Sequence, residues 1–219
     1  MSNSSESFFS SIGLSIDQQG LSTLANDLLS NNASNATKND RISILNHYGI
    51  LSIDGADAAK FLQGQTSCDV DTISDDLSSF GSLSTPKGRV LSNFHMARTS
   101  SSNYLLRMDK SIVDNTKTVL SKYIVFSKAE QTIKDNYIAI GLSGEQAKAN
   151  IQSVFGKTPN AKLACVHLDE CIAIQLDDDG NLFECWMNAN TIAEVWLQLS
   201  DKLTLSGERY WQQLTIEKG

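Results

Sequence analysis

The sequence predicts an α+β fold, and three observations carry that prediction. Strands follow one another across short turns: residues 80–83 and 90–97 flank Pro86-Lys87-Gly88, and residues 172–176 and 182–187 flank an acidic turn at 177–181. Helical stripes interrupt these runs without alternating with them one for one, which favours mixed sheets over a doubly wound parallel sheet. Composition is that of an ordinary globular chain, 41% hydrophobic and 20% charged over 219 residues, and no fixed-period repeat is visible.

Taken in order, residues 1–40 are rich in Ser and Asn, with Leu21, Leu24 and Leu28 at helical spacing. They read as a mobile leader holding one short amphipathic helix, with residues 30–35 as a linker. The ordered body is expected from Arg41 and divides into two α+β subdomains, 41–130 and 131–219. Residues 49–53 form a strand, after which Asp54 caps a helix containing Ala58, Phe61 and Leu62, closed by Gly64. A strand at 103–108 leads to Asp109, the start of a helix with Ile112, Val113, Thr116, Val119, Leu120 and Tyr123 on one stripe. Residues 137–142 are an apolar strand, and Ser143 caps a helix carrying Ala147, Ile151 and Val154. Strands at 163–168, 172–176 and 182–187 follow. A last helix from about Thr191 turns Ile192, Val195, Trp196, Leu199 and Leu203 to the core.

Charge and composition narrow the function. With 18 basic and 25 acidic residues the net charge is −7, which argues against gripping nucleic acid by bulk charge, though not against a local basic patch. No window approaches the ~20 apolar residues of a membrane helix. The first basic residue is Lys38, so neither a secretory signal nor an Arg-rich presequence is expected, and the cytoplasm is the expected compartment. Four scattered cysteines form no Cys-X-X-Cys pair and read as reduced and structural. Cys165 and His167 share a strand face but lack the paired spacing of structural zinc, so no metal site is expected. A calcium loop aligned on Gly180 would put Gln175 and Trp186 at ligand positions, which they cannot serve as required. The stretch before Gly88 lacks a phosphate loop's ending, and there is no nucleophile elbow.

What remains is a dense run of motifs. Gly55-Ala56-Asp57-Ala58 leads to Phe61-Leu62-Gln63-Gly64-Gln65 and Asp69-Val70; Lys87-Gly88-Arg89 follows, then Lys122-Tyr123-Ile124-Val125-Phe126-Ser127-Lys128, and the closing stretch from Trp211 to Gly219. In order and approximate spacing this resembles the YgfZ-type folate-binding proteins, relatives of the glycine-cleavage T-protein (GcvT), an aminomethyltransferase. The resemblance covers residues 43–219. It implies GcvT/YgfZ-like mixed sheets with packed helices, tetrahydrofolate or a derivative in a central channel, and a role supporting iron–sulfur enzymes or their assembly, including enzymes of tRNA modification. The family continues into a Lys-Gly-Cys-Tyr-Thr-Gly-Gln-Glu signature past the point where this sequence ends. A truncated or natural short form, lacking the C-terminal barrel, is therefore the expectation.

The resemblance also implies site residues. Asp69 stands where the T-protein has a functional aspartate, able to accept pterin N–H groups or assist proton transfer; the bland alternative is a turn aspartate bonding nearby backbone. Glu217 matches a pterin-binding glutamate, against the alternative of a solvated acid. Tyr48 and Trp211 match aromatic positions near folate, where flat rings would stack on the pterin or aminobenzoyl group, against ordinary core packing. Lys87 and Arg89 would meet glutamyl carboxylates or phosphate, or simply be solvated. His95, in an alternating strand, reads as a packed residue. The rival readings are a glycine-cleavage aminomethyltransferase, disfavoured because Val90-Leu91-Ser92-Asn93 supplies no acid pair, and an interaction domain with a vestigial pocket.

Overall fold

The computed structural model describes residues 14–16, 22–24, 40–199 and 202–218. Its elements are β1 (Leu14–Ile16), β2 (Ser22–Leu24), β3 (Arg41–Ile44), β4 (Tyr48–Asp54), α1 (Ala58–Gln65), β5 (Ser79–Ser84), β6 (Val90–Ser100), β7 (Asn103–Asp109), α2 (Lys110–Ile124), β8 (Glu130–Ile133), β9 (Tyr137–Ser143), α3 (Ala147–Phe155), β10 (Cys165–Leu168), β11 (Cys171–Gln175), β12 (Leu182–Asn188), α4 (Ala189–Leu199), β13 (Thr204–Ser206) and α5 (Glu208–Lys218). The architecture is α+β. A five-stranded sheet runs β5-β6-β7-β4-β8, wholly antiparallel, and a six-stranded sheet runs β10-β11-β12-β9-β3-β13, antiparallel except for β13 on β3. β1 pairs with β2 apart from both.

Period-two alternation makes each sheet apolar on both faces, so four layers stack. On β7, Tyr104, Leu106 and Met108 turn toward α1 and α2, while Leu105 turns toward the other sheet. On β12, Phe183, Cys185 and Met187 pack under α3 and α4, while Leu182 and Trp186 turn inward. The inter-sheet layer contains Leu45, Ile50, Ala97, Ala139, Ile172, Ile174 and Trp211. Among the described residues no helix is long and apolar enough to cross a membrane.

Several local expectations change. Asp54 ends β4 and accepts from the Ser102 hydroxyl at 3.1 Å; Asp57 takes the N-cap position of α1 without a side-chain cap bond. Ser143 likewise ends β9, and Gln146 holds the cap position of α3. In both cases two or three further residues are needed to turn the chain from sheet into helix. Asp109 does cap α2, accepting from Ser111 N–H at 2.9 Å. Tyr123, expected on the buried stripe, is exposed. Residues 22–24 are strand, not helix; the rest of the leader and its linker lie outside the described residues. β3, from the first half of the chain, pairs with β9 in the sheet built by the second half, and β8 joins the first-half sheet through β4.

Candidate functional site

A buried ion pair bridges the two sheets within this largely apolar layer. Arg107 on β7 and Glu184 on β12 face one another across it. Arg107 Nε and Nη2 donate to the two carboxylate oxygens at 2.6 and 2.8 Å, and the Trp186 indole N–H donates to Glu184 Oε1 at 2.6 Å. The Glu184 side chain is 1% exposed and that of Arg107 11%. A planar guanidinium matches a carboxylate in this two-pronged geometry, and such charge-assisted bonds are the strong ones. The pair persists at this buried position because each charge neutralises the other; either one alone would be costly.

Aromatic rings surround it. The Tyr48 ring lies over the Arg107 guanidinium, 4.0 Å from Cζ to centroid, placed there because Tyr48 pairs with Asp109, two residues along β7. Burial raises the Tyr48 phenol pKa, with Arg107 opposing and nearby carboxylates adding to the rise. His95 is directly opposite Arg107 in the β6–β7 ladder and fully buried. Phe80 stacks on its ring at 4.2 Å and Trp186 meets it edge-on at 5.5 Å. The Ser78 hydroxyl donates to the Leu163 carbonyl at 2.7 Å, so His95 Nε2–H donates to Ser78 at 2.8 Å and Nδ1 is left as a lone-pair acceptor without a partner among the described residues. Burial first, and the Arg107 charge second, hold the His95 pKa well below its ordinary value, so the ring is neutral.

Two clefts meet at these residues. One, of about 200 Å³, is lined by Tyr48, Phe80, Arg107, Glu184, Leu176 and Leu182, with Lys162, Thr215 and Lys218 also on its wall. The other, of about 440 Å³, shares Tyr48, Phe80 and Arg107 and adds Asn93, His95 and Asp109. Asp109 Oδ1 is already taken by the backbone and hydroxyl of Ser111. Lys218 reaches Asp177 and Asp179 at 3.5 and 3.3 Å, tying the end of α5 to the acidic turn.

Of the residues expected at the site, Tyr48 lines both clefts. Trp211 is buried in the inter-sheet layer, its ring lying on Gly141, where an added Cβ would come within 2.3 Å of the indole; its N–H has no partner among the described residues. Asp69 is exposed in the turn after α1, accepting from Gln63 Nε2 and Asp71 N–H at 3.3 Å. Glu217 is exposed on α5 and accepts from Gln213 Nε2 at 2.9 Å. Neither acid lines the two clefts. Lys87 and Arg89 are exposed in the turn between β5 and β6.

Sequence reasoning passed over Arg107 and Glu184. The signal was present: each is a charge interrupting an apolar run, Leu105-Leu106-Arg107-Met108 and Phe183-Glu184-Cys185-Trp186. Charged residues are rarely buried unless paired, so two such interruptions in one chain point to each other.

No family model matches the chain. Among curated proteins it is similar to the tRNA-modifying protein YgfZ of Hamiltonella defensa, 29% identical over 182 residues, covering 81% of this chain and 53% of that protein. The YgfZ proteins of Colwellia psychrerythraea (29%) and Klebsiella pneumoniae (28%) are each matched over 80% of this chain and 53% of theirs. The chain therefore spans about half the length of these relatives. Among solved structures it is similar to the glycine-cleavage aminomethyltransferase T of Bartonella henselae, with a TM-score of 0.72 and 14% identity over 93% of this chain and 58% of that one. The chain is thus similar in sequence to the YgfZ tRNA-modifying proteins and shares the fold of aminomethyltransferase T.

Proposed function

We propose that this chain binds a reduced folate, tetrahydrofolate or a derivative, in the joined clefts between its sheets, and serves as an accessory to iron–sulfur enzymes of tRNA modification. The observation that carries the reading is the buried Arg107–Glu184 pair walled by Tyr48 and Phe80. An aminopyrimidinone offers paired N–H donors and a carbonyl acceptor. Among the described residues Glu184 Oε2 accepts from Arg107 Nη2 and has a lone pair to spare, and His95 Nδ1 is a second unused acceptor. Tyr48 and Phe80 would stack on flat rings. Lys162 and Lys218, on the wall of the smaller cleft, would meet the glutamyl carboxylates. The clefts together fall in the size range of small-molecule sites. In this assignment Glu184 Oε2 and His95 Nδ1 take the acceptor parts that the resemblance implied for Glu217 and Asp69, Tyr48 keeps its stacking part, and Trp211 supports the wall through Gly141.

A binding role is favoured over aminomethyl transfer. Ser92 and Asn93 provide no carboxylate, and Asp109, the acid lining the larger cleft, commits Oδ1 to capping α2. A folate bound here would carry the one-carbon chemistry, and the chain's residues would bind, orient and shield it. Calorimetry with tetrahydrofolate and its formyl derivative tests the reading. Saturable binding weakened by Phe80→Ala is expected; no heat at any folate concentration would end it. Loss of thiolated tRNA bases in cells lacking the protein, restored by the wild-type gene, tests the accessory role.

A further inference from the structure

We infer that the tip after α2 is a preformed docking knob for a protein partner that presents an apolar pocket ringed by carboxylates. Phe126 is 88% exposed, Val125 70% and Tyr123 47%, three large apolar side chains within four residues. Single exposed apolar residues are ordinary, but a contiguous group on a soluble domain marks a contact surface. This one lies in the Lys122–Lys128 motif, which the folate site does not use.

The tip is held in place, which separates it from a loose loop. Phe126 N–H donates to Tyr123 O and Ser127 N–H to Ile124 O, closing the helix end, while Ile124 anchors it in the core. Just beyond, Lys128 is clamped to the start of α1 from both sides: its N–H donates to Asp57 Oδ2 at 2.8 Å, and its carbonyl accepts from Asp57 N–H at 3.2 Å. The approach is close enough that Gly55, at φ +139°, has no room for a Cβ, which would lie 2.3 Å from Lys128 O. The fold thus fixes the tip's backbone while leaving Phe126 and Val125 in water. Preorganised anchors of this kind lower the ordering cost of binding, and buried aromatics dominate interface energies.

Charge selects the partner. Lys117, Lys122 and Lys128 punctuate residues 117–128, which contain no Asp or Glu, in a chain of net charge −7. An acidic rim would be drawn to this segment and repelled by most of the remaining surface. Three lysines are fewer than the four to eight of a lipid-binding cluster and, beside the Phe126 and Tyr123 rings, supply only a weak phosphate term, so membrane and RNA fit less well than an apolar pocket that also takes Val125.

Panning the full chain against a phage library of short random peptides, with Phe126→Ser as counter-selection, tests this. Enriched peptides should be net acidic with apolar anchors, and should lose ~30-fold in affinity on Phe126→Ser. Lys122→Glu combined with Lys128→Glu should weaken them further as a function of salt. Val125→Ser is the second probe, and circular dichroism confirms that each variant folds. The inference is overturned by no Phe126-dependent peptide, or by peptides without acidic residues. It is equally overturned by self-association that Phe126→Ser abolishes, or by Phe126-dependent binding of oligouridylate or phosphatidylglycerol vesicles. Folate binding is untouched by any of these outcomes, so the two readings fail separately.

Discussion

Replacing Glu184 with Gln keeps the shape of the side chain and removes the charge that faces Arg107. Gln retains one carbonyl oxygen, enough for the Trp186 N–H, but turns an amide N–H₂ toward a guanidinium that already donates at 2.6 and 2.8 Å. Arg107 is then a buried cation without a counter-ion, and breaking such a pair from one side costs about 3–5 kcal/mol. For a chain of this size that is a fall in Tm of roughly 10 °C. Replacing both partners, Arg107→Met with Glu184→Leu, removes both charges and leaves only the Trp186 N–H unsatisfied, at about 1–3 kcal/mol. The double variant should therefore be more stable than Glu184→Gln alone. Urea unfolding followed by tryptophan fluorescence, with linear extrapolation, measures the wild type, Glu184→Gln, the double variant, and Arg107→Met and Glu184→Leu singly. Additive losses, or a Glu184→Gln loss under about 1 kcal/mol, would refute the argument that the pair is desolvated and mutually dependent.

Two further predictions use neighbouring groups. His95 is held neutral by burial and by Arg107, with its folded pKa below the unfolded value near 6.5, so below that pH the unfolded chain binds the extra proton. Stability should fall as pH drops from 7 toward 5, by up to about 1.4 kcal/mol per unit from this residue, and His95→Gln should flatten that part of the profile; parallel curves for the two proteins would contradict it. Gly141→Ala forces a Cβ to 2.3 Å from the Trp211 ring, so α5 must shift or Trp211 must leave its seat. A loss of about 1–3 kcal/mol with a red-shifted tryptophan emission is expected, and an unchanged spectrum would show that the contact yields easily.

Local chemistry explains how much of this could be read without coordinates. The strands around the turns at 86–88 and 177–181 were legible because period-two apolarity and turn residues are short-range signals. Asp177 illustrates this: its carboxylate accepts the backbone N–H groups of Asn181 and Leu182 at 3.0 and 3.1 Å, a bond its own neighbours supply. Asp109 could be placed as a cap for the same reason. β8 and β13 escaped notice because they are short and gain their stability from partners far along the chain. The site was the harder problem. Asp69 and Glu217 were chosen by position within motifs, and both side chains bond to residues within six positions of themselves. Tyr48 differs because β4 pairs along its length with β7, which carries Arg107, and so brings the ring to the guanidinium.

The sequence alone determined the α+β class, the order of most elements and the family resemblance, because these rest on periodicity and on residues near one another in the chain. Only the tertiary structure decided which charges are buried. Arg107 and Glu184 lie 77 residues apart and meet because the two sheets stack with those faces inward. A carboxylate's chemistry depends on the dielectric and donors around it, and those are supplied by strands the local sequence does not contain.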